Sequence, residues 1–185
     1  RLGRLALEAV ARERLALLRF ADAAAALETF AARYPNERNT DTGLRVAAAL
    51  RSGLGQYDRA RDDLDRIDRT PMSSPQFVAE VFWSRRALLP ADYATDKARR
   101  AHAEAYVRRF RSDGPPALRL LALATIAESE WQASCPLKRP GLLGLCVEVE
   151  RERPTQCGQT VTRVTVRGRD RRLAGRARSA FTEVV

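Results

Sequence analysis

Apolar residues recur every three to four positions through the first two thirds of the chain. In residues 20–35 they share one face of a predicted helix: Phe20, Ala23, Leu27, Phe30 and Tyr34. This spacing places side chains on one side of an α-helix, and the alanines between the aromatic residues let a neighbouring helix approach closely. Pro35 and the polar residues after it end the helix and predict a loop.

The same pattern returns further along the chain. Tyr57 stands three positions before Ala60, as Phe20 stands before Ala23. A helix is also predicted ahead of each such phrase, from three matched sets: Leu7, Val10, Ala11 and Arg14; Leu44, Ala47, Ala48 and Arg51; and Val78, Val81, Phe82 and Arg85. These sets are 37 and then 34 residues apart. Further helices are predicted over residues 96–110 and 115–134.

Helix pairs with a period near 34 residues and an aromatic-x-x-Ala phrase resemble the tetratricopeptide repeat. The resemblance covers residues 4–111, and four residues carry it: Pro35, Gly55, Tyr57 and Ala60. The chain departs from the family where Phe82 and Leu89 replace small residues, and where arginines replace an aromatic position. The phrase Phe-Ala-Ala-Arg-Tyr-Pro is similar to repeats of large bacterial cell-envelope scaffolds, including myxobacterial gliding-machinery components. The resemblance implies a mainly α fold, a right-handed solenoid of antiparallel helix pairs.

Such a solenoid has a concave groove lined by the first helix of each pair. In this register the residues expected to face the groove are Glu8, Arg12, Arg45, Ser52, Gln76, Ala79, Trp83 and Arg86. Trp83 and Arg86 together have the chemistry of a binding hot spot, so they are the candidates to anchor a protein partner. The frequency of aromatic residues in protein cores favours the other interpretation, in which Trp83 packs against a neighbouring helix.

Residues 135–170 predict a β-hairpin inserted between helices. Val147 and Val149 alternate with glutamates. In the second stretch, Thr162, Val164 and Val166 alternate with Arg163 and Thr165. Period-two alternation on both sides of a Pro-Thr-Gln-Cys-Gly connection is typical of a hairpin. We therefore expect helical repeats over residues 1–134, the insert over 135–170 and the start of a further helix over 171–185, within a longer protein.

Three cysteines occur at intervals of eleven: Cys135, Cys146 and Cys157. A zinc site would need a fourth ligand, and a catalytic thiol would need a base, but the one histidine is His102 on a predicted helix. The cysteines could also be reduced and act as small apolar residues. The preferred interpretation is a disulfide between Cys135 and Cys146 in an oxidising compartment, contributing about 3 kcal/mol and leaving Cys157 over.

The net charge of +10 is unevenly distributed. Residues 1–134 carry 22 positive and 18 negative side chains, whereas residues 135–185 carry 11 and 5. The candidate anion-binding residues are Arg163, Arg167, Arg169, Arg171 and Arg172. No aromatic residue is interleaved with them, so a solvated linker and helix start is the competing interpretation. An anionic partner could be an acidic protein face, lipid headgroups or nucleic acid.

No paired carboxylates, nucleophile with a base, phosphate-binding loop or metal cluster can be placed on the sequence. We therefore expect a non-catalytic scaffold without cofactor or small-molecule substrate. Its partners would be other proteins of a bacterial envelope or periplasmic assembly, and this segment would not span the membrane. The alternative is a cytoplasmic helical-repeat adaptor whose arginine-rich C-terminal segment binds nucleic acid.

Overall fold

The computed structural model describes residues 2–70, 73–135, 146–151, 162–166 and 168–182. The described part is mainly helical, as the periodicity predicts. Its elements are α1 (Leu2–Ala16), α2 (Phe20–Arg33), α3 (Thr40–Gly53), α4 (Tyr57–Ile67), α5 (Pro75–Leu88), α6 (Asp96–Arg109), α7 (Pro116–Ala133), β1 (Val147–Arg151), β2 (Thr162–Val166) and α8 (Arg171–Thr182). Within these ranges no helix combines the length and the apolar character that a membrane crossing requires.

The chain forms two compact units. The first unit comprises Arg1–Arg99 and Arg108–Arg119, and the second comprises Arg100–Val107 and Leu120–Val185. The repeat pattern instead predicts a boundary at residue 134. The units follow three-dimensional contacts rather than sequence pattern, so parts of α6 and α7 group with the C-terminal segment.

Helices α1 and α3 end in the same way. Leu18 and Gly55, which follow them, have φ angles of 57° and 73°, the left-handed conformation that ends many helices. In each helix a carbonyl of the last turn accepts the N–H five residues later, at 2.8 Å in both cases: Arg14 with Arg19, and Arg51 with Gln56. The helix end therefore recurs after 37 residues in the backbone as well as in the sequence.

The core of the first unit lies among α2, α3, α4 and α5. Helix α3 contacts each of the other three. The buried apolar residues of this core are Ala31, Leu44, Ala48, Ala60, Leu64, Ile67, Val81 and Leu89. Ala60 is fully buried, which agrees with its expected place at a close contact between helices.

A buried salt bridge joins α3 to α2. The Arg51 side chain is 2% exposed; its Nε donates to Glu28 Oε1 at 2.6 Å and its Nη2 donates to Glu28 Oε2 at 2.9 Å. Nη1 donates to Gln56 Oε1 at 2.7 Å. The hydrogen bonding of Arg51 to the Glu28 carboxylate is the largest cause that raises the pKa of Arg51 above its ordinary value. Parallel bonds of this kind add geometric specificity to the charge attraction.

A second salt bridge joins α5 to α4 at matched positions. Arg85 Nη1 donates to Asp65 Oδ1 at 2.7 Å, and Arg85 Nη2 lies 3.7 Å from Asp68 Oδ2. Arg85 follows Arg51 by 34 residues, and Asp65 follows Glu28 by 37. The chain thus repeats a contact in which an arginine near the end of one helix binds a carboxylate of the helix before it.

In the second unit, the end of α7 is held to the start of α8. The Asp170 N–H donates to the Ser134 carbonyl at 2.7 Å. The Asp170 carboxylate accepts the N–H groups of Arg172 and Leu173 at 2.9 and 3.0 Å, so it caps the helix N-terminus. One residue therefore both fixes the chain to α7 and starts α8.

Strands β1 and β2 pair in antiparallel orientation. The register places Val147 opposite Val166 and Arg151 opposite Thr162. The segment that joins the strands lies outside the described residues, and so does the predicted turn with Cys157. The hairpin insert therefore stays a prediction.

Candidate partner-binding site

Trp83 and Arg86 form a contact on helix α5. The helix starts cleanly because Ser74 Oγ accepts the Phe77 N–H at 3.1 Å and Pro75 occupies its first position. Residues three apart are neighbours on a helix surface. Arg86 Cζ lies 4.6 Å from the centre of the Trp83 ring, which is a cation–π arrangement. Both side chains are half-buried, so the pair is neither sealed in the core nor fully in solvent.

This pair opens onto a cleft of about 580 Å³. The cleft is lined by Trp83, Ser84, Arg86, Ala87, Pro90, Tyr93, Ala94 and Arg99. Two aromatic rings and two guanidinium groups therefore share one concavity, the residue types in which interface binding energy concentrates. The sequence patterns did not indicate Tyr93 and Arg99, although an aromatic residue in a polar connection after α5 is a usable signal.

Arg99 is held in place by contacts with neighbouring residues of its own unit. Its guanidinium contacts the Asp96 carboxylate and donates from Nη1 to the carbonyls of Tyr93 and Ala94 at 3.3 and 3.1 Å. Burial raises the pKa of the Tyr93 hydroxyl, so this ring enters the cleft as a neutral group. A wall that is fixed in advance lowers the entropy lost on binding.

The other predicted groove residues lie in different surroundings within the first unit. Glu8 and Arg12 line a separate cleft of about 230 Å³, with the apolar side chains of Leu15, Leu27 and Phe30 among its walls. The Asn39 amide donates to Glu8 Oε1 at 3.5 Å. The predicted set is therefore divided between two concavities and the surface around them.

Four further members of the predicted groove divide between surface and packing. Arg45 stacks on Phe77 at 5.3 Å, and Gln76 is exposed. Ser52 Oγ donates to the Leu88 carbonyl at 2.7 Å, so its hydroxyl serves the packing of α3 against α5. Ala79 is fully buried, which removes it from any open surface because its position faces inward on α5.

Cys135 and Cys146 form a disulfide, with their Cα atoms 5.5 Å apart. The pairing agrees with the prediction, and the separation lies within the range of about 4.4 to 6.8 Å that is usual for disulfides. Both cysteines are buried. Cys157 lies outside the described residues, and His102 lies buried in α6.

The predicted anion-binding arginines have different roles in the second unit. Arg169 Cζ lies 3.9 Å from the centre of the Trp131 ring, and its Nη1 donates to the Trp131 carbonyl at 2.6 Å and to Ser134 Oγ at 3.0 Å. Arg169 is thus engaged within its own unit. Arg171 and Arg172 are exposed at the start of α8. The side chain of Arg163 and the whole of Arg167 lie outside the described residues.

Two of these arginines border a basic cleft that the sequence patterns did not foresee. The cleft measures about 370 Å³ and is lined by Trp131, Arg169, Arg171, Ala174, Gly175 and Arg178. Trp131 supplies the aromatic wall that the sequence lacks within the arginine-rich stretch. Trp131 and Arg169 are far apart in sequence, so no local sequence pattern predicts their contact.

Asp63 is a buried carboxylate beside the Arg51–Glu28 salt bridge. It is 3% exposed, its Oδ1 lies 3.6 Å from Arg66 Nη1, and its Oδ2 has no hydrogen-bond partner among the described residues. Burial, followed by the negative charge of Glu28, raises the pKa of Asp63 from 3.8 to about 7. Asp63 therefore titrates near neutral pH and couples protonation to the α2–α3–α4 contact.

Within the described ranges, no group of three or more histidine, cysteine, aspartate or glutamate side chains is placed to hold a metal ion. No protein-family model, curated protein or solved structure matches the chain.

Proposed function

We propose that the protein is a non-catalytic scaffold that binds another protein in the cleft beside Trp83 and Arg86. The observation that carries the proposal is the cation–π pair, with a separation of 4.6 Å, in a cleft that also holds Tyr93 and Arg99. Tryptophan, tyrosine and arginine together favour a protein partner, since they combine large apolar area with directed hydrogen bonds.

In this proposal the helix pairs stack as a right-handed, tetratricopeptide-like solenoid with a hairpin insert. The recurring arginine–carboxylate contacts support stacking, because each joins one helix to the helix before it: Arg51 to Glu28, and Arg85 to Asp65. A repeat array gains its stability mainly from such nearest-neighbour contacts. It also provides a stiff surface from which other proteins can be held.

The proposed location is a bacterial periplasm or cell envelope. The supporting observation is the disulfide between Cys135 and Cys146, because disulfides persist in oxidising compartments and are rare where thiols are kept reduced. Mass spectrometry of cells lysed with free thiols blocked should recover a peptide linking the two cysteines. Recovery of both as blocked thiols would place the protein in a reducing compartment.

The cleft is tested by replacing Trp83 and Arg86 with alanine together. The variant should lose partners that the parent retains on an affinity resin loaded with envelope extract, while its far-ultraviolet circular dichroism stays unchanged. A matched control is Tyr57→Ala with Arg59→Ala, which removes an exposed aromatic residue and an exposed arginine outside the cleft. Retention of the same partners by both variants, with folding intact, would rule out the cleft.

A second candidate function is favoured by the basic cleft of the second unit. Arg171 and Arg178 are exposed beside Trp131, a combination that suits a phosphate and a stacked base. For a cytoplasmic nucleic-acid adaptor, affinity for a single-stranded DNA oligonucleotide should fall steeply with salt and drop further in Arg171→Gln/Arg178→Gln. Equal, weak binding of parent and variant at physiological salt would exclude this function.

A further inference from the structure

Helix α1 carries residues that match those with which α3 contacts α2. The matched positions, each 37 residues apart, are Ala6 with Gly43, Val10 with Ala47, and Arg14 with Arg51. They follow one another at intervals of four on each helix, so in both helices they form a single stripe. The backbone after the two helices also matches, as the left-handed residues Leu18 and Gly55 show.

The stripe on α3 is covered by two consecutive residues of α2. A Cβ atom added at Gly43 would meet the Leu27 side chain at 3.7 Å, and Arg51 binds both carboxylate oxygens of Glu28. The contact therefore has an apolar part and a charged part. A leucine followed by an acidic residue supplies both.

The contact between α4 and α5 uses the same two residue types. Leu64 is fully buried in the core, and the next residue, Asp65, binds Arg85. Leu64 and Asp65 follow Leu27 and Glu28 by 37 residues. Two independent contacts in the first unit thus pair an arginine near a helix end with a leucine–acid dipeptide on the packed helix.

On α1 the corresponding stripe is not covered. Val10 is 37% exposed, whereas its counterpart Ala47 is fully buried, and Ala6 is exposed whereas Gly43 is buried. Arg14 is half-buried and makes no ion pair with any residue that the structure describes. This stripe, Ala6, Val10 and Arg14, is called the α1 edge below.

We propose that the α1 edge is a docking surface for an amphipathic helix that carries a leucine followed by glutamate or aspartate. The leucine packs over Ala6 and Val10, and the carboxylate accepts two hydrogen bonds from Arg14. Charge complementarity selects this occupant, because Arg51 and Arg85, the counterparts of Arg14 on α3 and α5, each bind a carboxylate. A second copy of the chain is a poorer occupant, since its dipeptides Leu27–Glu28 and Leu64–Asp65 already pack inside its own first unit.

The surface differs from the Trp83 cleft, so the inference does not depend on the proposed function. A protein lacking partner binding in the cleft could still dock a helix at the α1 edge. The two failures are distinguishable because the variants share no residue.

The test supplies the helix in a defined form. A second copy of residues 20–39, which contain α2 and its connection to α3, is fused directly before Gly3, the position that matches Thr40. The fused helix should dock on the α1 edge and raise the urea midpoint of unfolding by about 1 M. Arg14→Gln should remove most of this gain. Glu→Gln at the added copy of position 28 should remove an equal share, and the two changes together should remove no more than either one alone.

Controls make each outcome decisive. Arg14→Gln should shift the urea midpoint of the unfused protein only slightly. Arg12→Gln changes an exposed arginine of the same helix, and its effect on the midpoint should be equally small in the fused and the unfused protein. An unchanged midpoint on fusion would overturn the proposal, as would an Arg14→Gln effect of equal size in fused and unfused proteins.

The natural occupant of the α1 edge is identified with a photo-crosslinking amino acid at position 10. Crosslinked segments should contain a leucine followed by glutamate or aspartate, and Arg14→Gln should abolish the crosslink. Crosslinks confined to segments without this dipeptide, or unaffected by Arg14→Gln, would contradict the proposed chemistry.

Discussion

The helix pairs α1–α2 and α3–α4 have the same backbone ends but different surroundings for one arginine. In both first helices an arginine carbonyl closes the last turn at 2.8 Å. Arg51 is 2% exposed and bound to Glu28, whereas Arg14 is half-buried without an ion pair to a described residue. The comparison teaches that local sequence determines the helix end, while the neighbouring helix determines whether a charge contributes to stability.

The largest effect should come from removing the buried member of this arginine pair. Arg51→Met would leave Glu28 without the counter-charge that binds both of its carboxylate oxygens, so the free energy of unfolding should fall by about 3 to 5 kcal/mol. Arg14→Met should change it by less than about 0.5 kcal/mol. Urea unfolding of both variants measures the difference, and equal effects would show that Arg51 does not stabilise through Glu28.

A buried alanine and an exposed alanine of the first unit should differ in how they tolerate a larger side chain. Ala60→Leu places a leucine where Ala60 is fully buried, so overpacking should lower the free energy of unfolding by about 1 to 3 kcal/mol. Ala9→Leu, at an exposed position of α1, should be nearly neutral. Thermal unfolding compares the variants; if Ala60→Leu melts like the parent, α4 does not pack closely at this point.

Asp63 gives the α3–α4 pair a pH dependence that α1–α2 lacks, since Ala26 occupies the matched position. The pKa of Asp63 is about 7 when folded and 3.8 ordinarily, so the folded state binds more protons between these values. Stability contributed by this proton is complete below about pH 4 and is lost as the pH rises through about 7.

Asp63→Asn should remove this decline. Unfolding free energies measured from pH 5 to pH 8 should fall by about 2 kcal/mol more in the parent than in the variant. Asp62→Asn, at an exposed neighbour on the same helix, is the matched control and should leave the decline in place. A parent whose stability rises over this range would contradict the raised pKa.

The smallest effects should come from the two left-handed residues. Leu18 adopts φ 57° with its side chain 72% exposed, so Leu18→Gly should raise the free energy of unfolding by about 1 kcal/mol. Gly55→Ala should lower it by about 1 kcal/mol, because φ is 73° there although no atom lies within 4 Å of the added Cβ.

Gly53 provides the control for Gly55. It is the last residue of α3, and an added Cβ there also meets nothing within 4 Å, so Gly53→Ala should raise stability by up to about 1 kcal/mol. Chemical unfolding should therefore give opposite signs for one substitution at two positions two residues apart. The same sign at both would show that backbone strain at position 55 is negligible.

Much of the helical part could be predicted because its signals are local. Periodicity and Pro35 located α2, and the phrase with Tyr57 and Ala60 located α4. The Trp83–Arg86 pair is also local, since the two residues are three positions apart on one helix. The Cys135–Cys146 pairing could be predicted because only a short connection separates the end of a helix from the first strand.

The remaining features depend on contacts between distant parts of the chain. Arg51 appeared in the sequence only as a departure from an aromatic position, and nothing near it in the sequence indicates Glu28 as its partner. Arg169 belonged to a basic stretch, yet it lies on Trp131, and the raised pKa of Asp63 requires burial that only packing provides. The sequence therefore indicates the arginines but not the residues that bind them.

The attachment of Asp170 to Ser134 has a consequence for how this protein can change. The chain leaves α7 at Ser134 and returns to the same residue through a 2.7 Å hydrogen bond, while Arg169 binds Trp131 and Ser134 next to it. Residues 135–169 therefore begin and end at one point. An excursion of this kind can be shortened, lengthened or exchanged without moving α7 or α8, so it is a natural place for relatives to differ and for an engineered domain to be inserted.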